Sequence, residues 1–264
     1  SGEWVWFVDS DDVIDLHSIS LARNSGWPNV EVIAWEFEHP HPGVACTIPS
    51  GFHEVEDRPA PPTAMETLPA KWFAMDFVRR TALRFPEYCL YEATPIEAFV
   101  LPLLLNRYFK SDFRAYRAIA GPSVTRGARQ NPRHFDRLQT IALGRAFAHK
   151  AKLEPAARAE FDVAFIRLFL WYSVKPSKVP GRSWLTAMRV MRQYRDEAAR
   201  FAITIDPLDV YPGGARSHLV AWLLWKLSRL MPSQHAYFDR LRQGSWDRPI
   251  EWTPPEIPER WRTS

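Results

Sequence analysis

The most constraining stretch of this chain is its opening. Trp4-Val5-Trp6-Phe7-Val8, an unbroken run of strand formers, ends abruptly on Asp9-Ser10-Asp11-Asp12. A run that is apolar at every position, rather than at alternate ones, predicts a strand covered on both faces. Three carboxylates at the carboxyl end of a buried strand repel one another, which costs stability unless a cation or ligand relieves it. That end of a strand is also where open α/β sheets bind ligands. Hard oxygen donors of this kind favour Mg²⁺ or Mn²⁺ shared with substrate phosphates. Asp12 and Asp15 also have a plain structural reading, as turn and N-cap residues of a following helix.

The rest of the front half alternates short strands and helices. Residues 15–24 read as a helix and 30–37 as a second strand rich in β-branched and aromatic residues. Residues 39–69 are Pro-rich, with His39-Pro40-His41-Pro42 and Pro59-Ala60-Pro61-Pro62, and read as a long loop with a short hairpin near 44–48. A helix is expected over 75–83. Thr94-Pro95-Ile96-Glu97 has the form of a capping box with Pro at the first helical position, opening a helix that runs towards 109 and kinks at Pro102. A strand over 113–119 and a turn at Gly121-Pro122 close this half. Beyond residue 130 apolar residues recur at three- and four-residue spacing, predicting helices over 131–150, 155–172, 183–201, 217–230 and 233–241. The Pro- and Trp-rich stretch 246–261 has no period and reads as a surface tail.

Composition narrows the class. With 46% hydrophobic and 24% charged residues the chain is globular and not disordered. Two cysteines, Cys46 and Cys89, make neither a disulfide framework nor a four-cysteine zinc site, so a reducing, cytoplasmic setting is expected. The longest apolar run, 219–225, is far short of the roughly 18–20 residues of a membrane span. The aromatics are not interleaved with Lys and Arg on a strand platform, which argues against a nucleic-acid partner. Residues 1–125 carry 10 Lys and Arg against 17 Asp and Glu, a net of −7, and the remainder carries 24 against 13, a net of +11. An acidic front suits a cation site, and a basic back suits an anionic surface such as phospholipid. The chain opens on Ser1-Gly2 and goes almost at once into a strand, and so reads as a piece of a longer protein.

Two enzyme families write the acidic segment in similar letters. Haloacid-dehalogenase-type phosphatases place Asp-x-Asp after four hydrophobics, which Asp9-Ser10-Asp11 fits, with Asp9 as nucleophile and Asp11 as acid/base. That family needs a later acidic pair behind an apolar strand, and Asp206-Pro207-Leu208-Asp209 lacks the strand. The fuller resemblance is to family-2 glycosyltransferases of GT-A fold. Gly2-Glu3-Trp4-Val5-Trp6-Phe7-Val8-Asp9-Ser10-Asp11-Asp12 resembles their Asp-x-Asp segment throughout, including the leading glycine. Arg84-Phe85-Pro86 with Tyr91-Glu92-Ala93-Thr94 resembles their "Phe…Glu-Asp-Thr" block. Tyr116-Arg117 with Ser123-Val124-Thr125 resembles the "Tyr-Arg…Ser-x-Thr" that follows.

The resemblance implies an α/β chain: a partial GT-A mixed sheet over 1–126, its nucleotide-binding strand–helix units lying upstream, followed by an α-helical domain over 127–264. It implies inverting transfer from a nucleoside-diphosphate sugar to a carbohydrate or lipid-linked acceptor. Asp11, with Asp9, would hold Mn²⁺ or Mg²⁺. Asp9, Asp12, Tyr116, Arg117, Ser123 and Thr125 would line the donor and acceptor sites, and Glu92 would be the base. Where the family has Glu-Asp this chain has Glu92-Ala93, leaving Glu92 the one carboxylate of that block. Glu97 is read as the capping partner of Thr94. Lipid-linked acceptors suggest peripheral attachment to the inner face of an anionic membrane. A phosphatase, or a non-catalytic module of glycosyltransferase type, are the rival readings.

Overall fold

A computed structural model describes residues 3–9, 12–17, 20, 30–34, 37–38, 51–55, 59–60, 68–111, 115–117, 132–171, 184–210, 215–244 and 248–262. The hairpin expected near 44–48, the Gly121-Pro122 turn, His39 and His41 lie outside these residues, as does most of the helix expected over 15–24.

Among the described residues a five-stranded mixed sheet has the order β1-β6-β3-β7-β5, built from β1 (Trp4–Trp6), β3 (Val32–Ala34), β5 (Gly51–Glu54), β6 (Lys71–Ala74) and β7 (Arg107–Lys110). Only β3 and β7 run parallel; the other pairs are antiparallel. The period of two explains the continuous apolar run at the start of the chain. Val5, Phe7, Phe73, Val32 and Tyr108 face the main core, while Trp4, Trp6, Trp72, Ile33 and Phe109 form a second cluster on the opposite face. Both faces are covered, but among the described strands β1 lies at the edge and pairs with β6 alone, and its residues are half-buried. The expected second strand divides in two: after Ala34 the chain leaves the large sheet, and β4 (Phe37–Glu38) joins a small sheet of order β2-β8-β4 with β2 (Val13–Ile14) and β8 (Tyr116–Arg117). β5 and β6 lie within or just after the stretch read as one long loop.

The helix α1 (Met75–Thr81) forms as expected. The next helix, α2, does not begin with a capping box. It starts at Ala93, with Glu92 in the N-cap position at helical φ and ψ and no side-chain cap, so Thr94 sits inside the first turn and its N–H meets the Tyr91 carbonyl at 3.1 Å. Tyr91 has already reversed the chain at φ 65°, which is why the helix opens early. α2 continues from Ala93–Pro95 through a π segment, Ile96–Val100, to Leu101–Leu104. Pro102 has no N–H to give the Ala98 carbonyl, and the ladder shifts register there: the Leu101 N–H reaches back five residues to Ile96. The helix ends at Leu104, short of 109, because 107–110 is taken up as β7.

Apart from Thr94 and Glu97, which are half-buried, α2 is apolar all round and lies in the core. Against it pack α3 (Asp136–His149) and α4 (Pro155–Ile166), the latter continuing as a π segment through Trp171. Gly144 is the point of closest approach, where a Cβ would stand 2.5 Å from the Phe99 ring and 2.9 Å from the Pro95 backbone. One hydrophobic core runs from Val32 and Phe73 through Phe99 to Phe165 and Tyr194, so the helical half is built directly onto the sheet half. Inside it Arg145 and Asp162 form a buried ion pair at 2.5 Å. The outer helices are α5 (Trp184–Arg200), the short α6 (Pro207–Val210), α7 (Ala215–Leu227) and α8 (His235–Gln243).

The carboxyl-terminal stretch is more than a surface tail. The Trp261 ring is buried, its Nε1–H donating to the Leu103 carbonyl at 3.0 Å, and the Trp252 Nε1–H meets the Arg84 carbonyl at 3.0 Å. It straps the end of α2 to the sheet half.

Candidate functional site

The acidic segment leaves β1 and turns back at once. The Asp12 N–H donates to the Asp9 carbonyl at 3.2 Å, closing a tight turn, and β2 then pairs with β8, Ile14 opposite Tyr116 and Val13 opposite Arg117. The Asp15 N–H adds a bond to the Ala115 carbonyl at 3.0 Å, and the Asp15 carboxylate caps the His17 N–H at 3.0 Å, its plain structural role. The register carries the buried Tyr116 under the turn, where its hydroxyl donates to an Asp12 carboxylate oxygen. Burial, that hydrogen bond and the negative charges of Asp9 and Asp12 push the phenol well above its ordinary pKa, so it stays a donor. The Trp6 ring, 6.2 Å from that of Tyr116, walls the other side.

The structure places Tyr116 beside Asp12 and Asp9. Asp9 is exposed, and Asp12 is engaged by Tyr116. Arg117 is exposed on β8. Asp11, Ser123 and Thr125 lie outside the described residues. No cluster of three or more metal-ligating side chains occurs among the described residues. The oxygen donors of Asp9 and Asp12 nonetheless have the chemistry that suits a hard divalent cation.

Glu92 is exposed at the start of α2. Its loop is brought beside the strand exit by Phe7, two residues before Asp9, whose ring packs edge-on against Phe85 at 5.1 Å. The loop is strained: Tyr88 and Tyr91 both hold positive φ, 58° and 65°. Such conformations cost about 1–3 kcal/mol each and persist only where the surroundings impose them. Here the imposing groups come from the helical half. Asp136 accepts the Leu90 N–H at 3.0 Å, His134 meets the Tyr91 hydroxyl at 3.0 Å, and the Arg137 guanidinium lies 3.9 Å above the Tyr91 ring. Arg242 donates to the Tyr88 carbonyl and stands 3.6 Å from Asp136, while Arg248 donates to the Tyr88 hydroxyl at 2.6 Å. The neighbouring Cys89 thiol is pushed up to about 12, by burial first and then by the charges of Asp136 and Glu92, and so stays protonated. Sequence reasoning missed this clamp because its members are 40 to 160 residues apart.

No protein-family profile matches the chain, and no curated protein matches it by sequence. Solved structures do. TarS 1-349 of S. aureus in complex with UDP-GlcNAc superposes with a TM-score of 0.59 at 19% identity, covering 92% of this chain and 69% of that one. The complex of TarS 1-349 with UDP gives 0.52 at 17% identity, over 98% and 73%. A longer TarS structure gives 0.53 at 16%, over 92% of this chain and 40% of that one. The likeness is one of fold: this chain shares the mixed α/β architecture of TarS.

Proposed function

We propose that this chain belongs to a glycosyltransferase that moves a sugar from a nucleoside-diphosphate sugar to an acceptor hydroxyl with inversion. The observation that carries this reading is the acidic turn folded back onto Tyr116 at the carboxyl end of β1, in a fold shared with TarS bound to UDP-GlcNAc. In this reading Asp11 and Asp9 hold Mn²⁺ or Mg²⁺, which when bound offsets the charge of the departing diphosphate. Tyr116 keeps Asp12 fixed and so holds the turn that presents the other two carboxylates. Arg117, Ser123 and Thr125 line the donor and acceptor sites. Glu92, fixed by the clamp from α3 and α8, takes the acceptor's proton. The acceptor is a carbohydrate or a lipid-linked saccharide.

The phosphatase alternative is disfavoured by two observations. The described neighbour of β1, β6, runs antiparallel to it, not parallel. Asp206 caps its own turn, accepting the Leu208 N–H at 2.9 Å. The test is a panel of UDP- and GDP-sugars incubated with the chain and Mn²⁺. Hydrolysis or transfer supports the transferase; phosphate release from simple monoesters supports a phosphatase; neither outcome leaves a binding module.

Peripheral contact with an anionic membrane belongs to the same reading. α7 exposes Leu219, Trp222, Leu223 and Leu227 along one stripe, with Leu230 just beyond and Lys226 and Arg229 beside it. No helix among the described residues is long and apolar enough to cross a membrane. Salt-sensitive pelleting with anionic but not neutral vesicles is the expected behaviour, and equal pelleting with both contradicts it.

A further inference from the structure

The loop that carries Glu92 is also held by the carboxyl-terminal segment of the chain. Glu251 lies antiparallel to Glu87: the Glu87 N–H donates to the Glu251 carbonyl at 2.8 Å, and the Glu251 N–H returns to the Glu87 carbonyl at 3.4 Å. A side chain on each side of this bridge adds a tie. The Trp252 Nε1–H donates to the Arg84 carbonyl at 3.0 Å, and Arg248 donates to the Tyr88 hydroxyl at 2.6 Å. Segment 248–252 thus runs antiparallel along 84–88, and it is itself anchored. The Trp252 ring packs against Phe147 of α3 at 6.3 Å, and farther on the buried Trp261 donates to the Leu103 carbonyl.

These ties fall where the loop is strained. The chain takes positive φ twice on its way to Glu92, at Tyr88 and at Tyr91, and a non-glycine residue stays there only where its surroundings impose it. At Tyr91 the imposing groups are His134 and, through the neighbouring Leu90 N–H, Asp136. At Tyr88 they are Arg242 on the carbonyl and Arg248 on the hydroxyl, with Glu87 beside it pinned by Glu251. Releasing the Tyr88 side lets the loop relax and turns the Glu92 carboxylate, and a displacement of about 1 Å at a reacting group costs about 10²-fold in rate. We propose that Arg248 and Trp252 are positioning residues: the carboxyl-terminal segment sets the direction from which Glu92 meets the acceptor hydroxyl. The proposal rests on the reading of Glu92 as the base.

The experiment uses the full chain, Trp252→Phe and Arg248→Met, each with and without Glu92→Gln, and the nucleotide sugar that the chain turns over with Mn²⁺. Phe keeps a ring against Phe147 and removes the indole donor; Met keeps the aliphatic stem and removes the guanidinium. The expected result at either position is a kcat lower by about 10–10²-fold with KM for the nucleotide sugar unchanged. On the Glu92→Gln background the same substitutions cost nothing further, because they act through that carboxylate; a merely structural role would multiply the two losses. Hydrogen exchange reads the loop apart from turnover: amides over 87–92 exchange faster in both variants, while those of α2 and α3 keep their protection. Unchanged kcat, losses that multiply, or unaltered exchange over 87–92 overturns the proposal. A slow Glu92→Gln beside normal Arg248 and Trp252 variants sinks this proposal alone. Parent-like turnover in Glu92→Gln sinks the base reading and this proposal with it. In a parent without turnover the exchange decides: an unaltered loop overturns the tie, and a loosened one upholds it.

Discussion

The hydroxyl of Tyr116 donates to the carboxylate of Asp12 across 104 residues of chain. It adds a side-chain tie to a turn that the Asp12 N–H closes on the Asp9 carbonyl and that runs on into β2 of the small sheet. Tyr116→Phe removes the donor and leaves Asp12 beside an apolar ring. The variant is expected to fold with stability lower by about 1.5–3 kcal/mol, the range for a hydrogen bond to a charged group. Urea denaturation measures it, and a variant as stable as the parent would show that the turn holds itself.

Alkaline pH is expected to weaken the fold through Cys89. Its thiol titrates near 9.0 when free and about 12 in the folded chain. The unfolded chain therefore releases this proton first. The stability is fully present below 9.0 and falls as pH rises from there towards about 12. Cys89→Ala should flatten that part of the profile, read as urea midpoints at successive pH values. The buried Tyr194 phenol, also raised, would continue the decline beyond the ordinary phenol range and serves as an internal comparison.

Glu92→Gln is expected to lower turnover by about 10²–10⁴-fold with donor binding little changed, the usual contribution of a positioned acid or base. Ala93→Asp should be tolerated, since Ala93 is only half-buried in the first turn of α2. Steady-state rates with saturating nucleotide sugar decide the point. Wild-type turnover in Glu92→Gln would remove this residue from the mechanism. An inactive parent restored by Ala93→Asp would show that this chain has lost its base.

The readable parts of this sequence were those written locally. The apolar run into Asp9 and Asp12, the α1 segment and the helices beyond residue 130 all follow from periodicity over neighbouring residues. What was hidden depended on distant partners. Phe52 and Trp72 lie in four-residue strands among prolines, too short for a period to show, and they become strands only because β7 and β3 are there to pair with them. The Thr94-to-Glu97 spacing has the letters of a capping box. The positive φ of Tyr91, imposed by His134 and Arg137, starts the helix before that box can form. Trp261 gave no sign of being a core residue because its socket, the Leu103 carbonyl, is 158 residues away. The candidate site follows the same division: its acidic turn was legible in the sequence, and the clamp on the Glu92 loop was not.

The most direct test of the account is calorimetric titration of the chain with UDP in Mn²⁺ and again in excess chelator, for the parent and for Asp11→Asn. The account predicts saturable binding that requires the metal and is lost in a folded Asp11→Asn protein, whose melting temperature is equal to or above that of the parent because one repelling carboxylate is gone. Equal UDP affinity in the two proteins, with or without metal, would contradict it.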